Sequence, residues 1–176
     1  MIRKIRAVAV ILLAAGAAAL APALLAAPED GAAEAGKAWA AAIVARDVDA
    51  QMKLLPATMF PKPGDRERQH KMKVHDSELA LINKQKYLSF DVRAPAQIVK
   101  FNKMIVVVLP YRSVLTVAQG KLQTDSVLIA LAEEGSGSWS VLDGNGQTQR
   151  SLKLHIPGYA GGLGLPQAVT KVIKDE

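Results

Sequence analysis

The spacing of apolar positions changes along the chain, and each change predicts a different element. From Ala32 to Leu55, Trp39, Ile43, Ala50 and Leu54 recur near multiples of 3.6, with Val44, Val48, Met52 and Leu55 beside them, which predicts helix. Asp47 and Asp49 interrupt the stripe after Arg46. Asp47 is placed to cap a second helix by accepting from its first free amides, so the run is expected to break near Arg46. Pro56, Pro61, Pro63 and Gly64 then close it, since proline lacks the donor and clashes with the preceding turn. Met59 and Phe60 inside this loop are expected to fold back on the core. Asp65 to Lys84 is dense in charge, yet Met72, Leu79 and Ile82 leave a narrow stripe, flanked by Val74 and Leu81, and predict a mostly solvated third helix.

After Lys86 the period falls to two. Leu88, Phe90 and Val92 alternate with Tyr87, Ser89, Asp91 and Arg93, the pattern of a strand with one buried face. Pro95 separates a second strand, Gln97 to Asn102. Met104 to Leu109 is apolar on both faces and continues past Pro110 to Val117, and Gln119-Gly120 reads as a hairpin turn. Leu122 to Ala132 is polar at first and apolar on both sides from Val127. Ser138 to Leu142 follows, closed by Asp143-Gly-Asn-Gly146. These elements predict an α+β domain with N-terminal helices on a curved antiparallel sheet of about five strands. Ser151 to Ile156 reads as strand or short helix, Pro157 to Pro166 as a glycine-rich tail that is flexible or packed, and Gln167 to Lys174 as a short helix carrying Val169, Val172 and Ile173.

The first 27 residues stand apart from this pattern. Arg3, Lys4 and Arg6 precede a charge-free run from Ala7 to Ala27, the order of a secretory signal. Most of the run is alanine, which partitions weakly into hydrocarbon, so a cleaved peptide is expected over an uncleaved anchor. Residues 1–27 are therefore read as a signal and 28–176 as one domain with a Gly/Pro-rich tail, placed in the periplasm or outside the cell. The formal charge of +6 loses those three cations on cleavage, leaving 19 basic residues of 22 against 16 acidic, or +3.

Composition removes several chemistries. The 176 residues contain no cysteine, which excludes disulfides, thiolate metal sites and a cysteine nucleophile. His70 and His75, five apart on a helix, point about 140° from one another and cannot face one metal. His155 sits between Leu154 and Ile156 as a partly buried histidine. No serine lies in a Gly-x-Ser-x-Gly elbow. Gly158, Gly161, Gly162 and Gly164 lack the strand and helix that make a phosphate loop. No metal and no cofactor is expected. The basic stretch from Lys62 to Lys86 allows weak contact with an anionic lipid or polymer, whereas nucleic acid is not expected because no aromatic residues interleave with these cations. What remains are polar groups on the strands. Tyr87, Asp91, Tyr111 and Asp125 are the candidate pocket residues, since an aspartate or tyrosine held in an apolar hollow can carry a proton.

The order of elements, with Val108-Leu-Pro-Tyr111, the strand Asp125 to Leu131, Ser138-Trp-Ser-Val-Leu-Asp-Gly144, Leu152, Ile156-Pro157 and Leu165-Pro166, resembles the nuclear transport factor 2-like (cystatin-like, cone-shaped) superfamily. More narrowly, it resembles a group of uncharacterised exported bacterial proteins on that fold, over Ala32 to Pro166. The resemblance implies a sheet curved around helices with an internal pocket, used for ligand binding, for dimerisation or, in ketosteroid isomerase and polyketide cyclase relatives, for acid/base catalysis. No catalytic residue carries over by motif. The expected function is thus an exported, non-catalytic domain that binds a small molecule or a partner protein, with a homodimer allowed. The alternatives are a cofactor-independent lyase or isomerase using a cavity Asp and Tyr, and an envelope accessory protein that binds anionic lipid or polymer.

Overall fold

A computed structural model describes residues 27–173, so residues 1–26, all but the last of the stretch expected as a signal, and residues 174–176 lie outside the described residues. Helix α1 (Pro28–Ala45) opens on a proline whose missing donor costs nothing at that position, with Glu29 and Asp30 facing the positive end of the helix. It stops at Arg46, which takes the left-handed conformation with φ of 57°. The Arg46 side chain donates to the carbonyls of Ser77 and Gln85, so the break expected here also ties two later segments together. Asp47 caps α2 (Val48–Leu54) by accepting from the Ala50 amide at 2.9 Å. A short 3-10 turn, Ala57–Met59, leads to α3 (Asp65–Ile82), none of whose residues is buried.

Two 14-residue strands, β3 (Met104–Val117) and β4 (Gly120–Glu133), form one unbroken antiparallel hairpin from Val117↔Gly120 to Met104↔Glu133. Four short strands flank it. On the outer edge of β3, β1 (Lys86–Val92) pairs with Tyr111 to Thr116 and β2 (Gln97–Phe101) with Met104 to Val108. On the outer edge of β4, β5 (Ser140–Asp143) pairs with Leu128 to Leu131 and β6 (Val169–Ile173) with Lys121 to Asp125. The sheet is open and has six strands where five were expected. The sixth is the segment expected as a terminal helix. Three of its five residues are valine or isoleucine and a fourth is threonine, which suit a strand, and the bare edge of β4 supplies the partner that overrides a short helical stripe.

The breaks in the two flanks coincide. Arg93 and Ala96 lie between β1 and β2 and donate to the carbonyls of Pro110 and Val108, so Pro110 points its missing donor at the gap in the flank. Pro110 pairs with Val127, where β5 has ended and β6 has not begun. The hairpin is thereby divided into a half flanked by β2 and β5 and a half flanked by β1 and β6.

The first half is covered on both faces. Val107, Leu109, Leu128, Ala130 and Val141 pack against Ala32, Ala35 and Trp39 of α1 and Met52 and Leu55 at the end of α2. Gly36 brings α1 so close that a Cβ there would sit 2.7 Å from Leu109 Cδ1. On the opposite face Val106, Val108, Val127, Ile129 and Leu131 pack under Leu152 of α4 (Gln149–His155), Ile156, Tyr159 and Leu163. The ambiguous segment after Ser151 is therefore helical, and the glycine-rich tail is a packed cover. Cover on both faces explains why these strands are apolar without alternation.

Candidate functional site

In the second half of the hairpin the strands return to alternation, and their helix-side face is only partly covered. Cross-strand register puts Tyr87 beside Leu115, Phe90 beside Ser113 and Thr124, and Tyr111 beside Ser126 on that face. Tyr111 stacks on Phe90, ring centres 4.4 Å apart, and Phe90 meets Tyr87 at 6.1 Å. The C-terminal end of α1, α2 and α3 wall a hollow of about 220 Å³ that meets the sheet at Tyr87 and Leu115. Ile43, Val48 and Leu115 give it an apolar side; Gln51, Lys73 and Tyr87 give it a polar one.

Each polar group is positioned by the fold. Gln51 is buried and donates to the Ala42 carbonyl at 3.2 Å, an oxygen that also accepts from the Asp47 amide at 2.9 Å. Its oxygen accepts from Lys73 Nζ at 3.3 Å, and that ammonium lies 5.4 Å from the centre of the Trp39 ring. Burial of Lys73 lowers its pKa, against the pull of Asp76 and Asp143 toward the charged form. Asp143, the last residue of β5, shares the face of Leu128. Water reaches it, but the helices and sheet around it displace much of the bulk solvent that would stabilise its charge. Its pKa is raised by that burial, despite the Asn145 amide at 2.9 Å and the nearby Lys73. The Tyr111 phenol is pushed up to about 12 by burial, with the Asp143 carboxylate adding to the effect. Tyr87 is raised for the same two reasons in the same order.

Ser126 is 6% exposed, and its Oγ has no hydrogen-bond partner among the described residues. The neighbouring Tyr111 hydroxyl is near enough for the two to influence one another electrostatically, but not in bonding geometry. A buried hydroxyl left unpaired costs free energy, and neither Ser126 nor Tyr111 is among the residues that line the hollow.

The four candidates named from sequence separate. Tyr87 and Tyr111 lie on the helix-side face, while Asp91 and Asp125 lie in one row on the other, on either side of Arg112. Arg112 makes a two-point contact with Asp125 at 2.8 and 3.2 Å, and Gln123 donates to the same carboxylate at 3.0 Å. These bonds hold the Asp125 pKa below the ordinary carboxylate range, the opposite of what a proton carrier at neutral pH requires. Lys73 and Asp143 were not among the candidates. In the sequence Lys73 is one of many cations in α3, and Asp143 belongs to the turn sequence Asp143-Gly-Asn-Gly146. The signal for Asp143 is that it continues the face of Trp139 and Val141 at a spacing of two.

The α3 cations do not form one field. Arg66 turns inward to the Met52 carbonyl at 3.0 Å and lies over the Phe60 ring, and Lys73 faces the hollow. Arg68 pairs with Asp65, Lys71 with Glu67, and His70 with Asp49. Among the described residues no His and carboxylate cluster could hold a metal, and no helix is long and apolar enough to cross a membrane.

No protein-family model matches the chain, and no curated protein matches it in sequence. Among solved structures it has a likeness to an M. tuberculosis LEH-like epoxide hydrolase, at 14% identity and a TM-score of 0.35, covering 74% of this chain and 92% of that one. A likeness of this size bears on neither the fold nor the chemistry of the hollow.

Proposed function

We propose that the protein is an exported domain of the nuclear transport factor 2-like kind that binds a small ligand in the helix-side hollow. The observation that carries this reading is the hollow itself, whose lining sets Ile43, Val48 and Leu115 beside Gln51, Lys73 and Tyr87. At about 220 Å³ the hollow is below the ~300–1,000 Å³ usual for drug-sized molecules, so the ligand is small. Export is supported by the three cations and the charge-free run that open the chain. Native mass spectrometry of the protein released gently from the periplasm should show a retained small molecule that Lys73→Met sheds. Protein that is always ligand-free, or found in the cytosol with its leader intact, would overturn the reading.

One observation favours a second reading, a cofactor-independent lyase or isomerase. Asp143, Tyr111 and Lys73 all have their charged forms disfavoured by burial, and Asp143 acts electrostatically on the other two, the setting in which side chains exchange protons with a substrate. Incubating the recovered ligand with wild type and with Asp143→Asn separates the two. Unchanged ligand in both supports binding alone; conversion by wild type only supports catalysis.

A further inference from the structure

On the face of the sheet away from the hollow, where the packed tail crosses toward β6, a groove of about 390 Å³ runs between the break in the β1/β2 flank and residues 164–169. Its apolar lining includes Val108, Pro110, Val127 and Pro166. The walls are fixed to each other: Gln97 donates to the Gly162 carbonyl at 3.1 Å and accepts from the Gly164 amide at 3.3 Å. The groove is therefore formed before anything enters it.

Two charged side chains line it, Arg93 and Asp125, and they are unequally occupied. Asp125 is committed to Arg112 and Gln123. Arg93 approaches Asp125 only to 3.9 Å, and among the described residues no acceptor lies at hydrogen-bonding distance from its guanidinium. Asp91, the other acid on this face, sits across Arg112 and does not line the groove. A half-exposed guanidinium with free donors thus stands over an apolar floor. Guanidinium matches a carboxylate with two parallel bonds, and the floor matches a hydrocarbon chain. The Asp125 charge beside it disfavours an anion of more than one charge.

We propose that this groove is a second binding site, separate from the hollow, which takes a medium-chain fatty acid with its carboxylate on Arg93 and its acyl chain along Val108, Pro110 and Val127.

The test is titration calorimetry of the leader-free protein at low salt with octanoate and with octanol as the uncharged match. Octanoate should bind at least tenfold more tightly than octanol. Arg93→Gln should erase that difference, and 0.5 M salt should reduce it. Ala96→Trp, which fills the groove wall, should remove binding of both. Arg93 and Ala96 are exposed, so melting temperatures should stay unchanged. Lys73→Met should leave octanoate binding intact, which keeps this site distinct from the hollow. Octanoate binding that is absent, that survives Arg93→Gln, or that is lost in Lys73→Met would overturn the proposal. So would a hydrophobic peptide with a free C-terminus that binds where octanoate does not.

Discussion

The two halves of the β3–β4 hairpin use the same pair of strands under different cover. From Met104 to Pro110, opposite Val127 to Glu133, helices pack on one face and the tail on the other. From Tyr111 to Val117, opposite Gly120 to Ser126, no residue of β4 except Ser126 is fully buried, and the helix-side face carries hydroxyls at Tyr111, Ser113, Thr124 and Ser126. The difference teaches where this fold keeps its stability and where it leaves room for chemistry. Apolar burial is concentrated in the closed half, and ionisable groups with displaced pKa values gather where cover is incomplete.

The sharpest way to break this comparison is to remove matching side chains from each half. Ile129 is fully buried in the closed half, and Ile129→Ala should cost about 3–4 kcal/mol through lost transfer and the cavity left behind. Leu122 in the open half is half-buried, and Leu122→Ala should cost about 1 kcal/mol. Urea unfolding of both variants measures the contrast. Equal losses would mean that the two halves are equally supported.

A smaller effect tests how tightly α1 closes its half. In a free helix Gly36→Ala would stabilise by about 1 kcal/mol. Here the added methyl meets Leu109 Cδ1 at 2.7 Å and Val92 Cγ1 at 3.2 Å, and overpacking of about 1–3 kcal/mol should outweigh that gain. The expected outcome is a net loss of about 1 kcal/mol in thermal or urea unfolding. A gain would show that α1 stands off the sheet.

Much of this contrast was legible in the chain. The runs Met104 to Leu109 and Val127 to Leu131 lack alternation because both their faces are covered, and Tyr111 to Val117 and Lys121 to Ser126 recover it where cover thins. The break at Arg46 was legible because Asp47 is a capping residue in the right place. The sixth strand was not, because Val169–Ile173 is paired by an edge that only the folded sheet supplies. The candidate site was half legible for a related reason. Alternation places Tyr87 and Asp91 on one face, and only the register shift between Tyr87 and Ser89 in the folded sheet separates them; Lys73 is distinguished from Arg68 and Lys71 only by what α3 packs toward. Asp47→Ala, which removes the α2 cap, should cost about 1 kcal/mol and be read in the same unfolding assay.

The smallest effect concerns the acid at the boundary between the halves. The folded-state pKa of Asp143 is raised, so the folded protein binds this proton more readily than the unfolded chain does. Its contribution to stability is therefore unfavourable at neutral pH. The penalty is relieved as pH falls through the raised value and is gone below the ordinary value of 3.8. An asparagine in its place would keep an oxygen for the Asn145 amide and remove the charge, at the expense of the attraction to Lys73. Because water reaches this side chain, screening holds the net effect to a few tenths of a kcal/mol. Asp143→Asn should be slightly more stable than wild type at pH 7, and the two should converge near pH 3 when unfolding is followed across that range. A variant less stable at pH 7 would mean that the pairing with Lys73 outweighs burial, and that the carboxylate at the boundary is held as an ion.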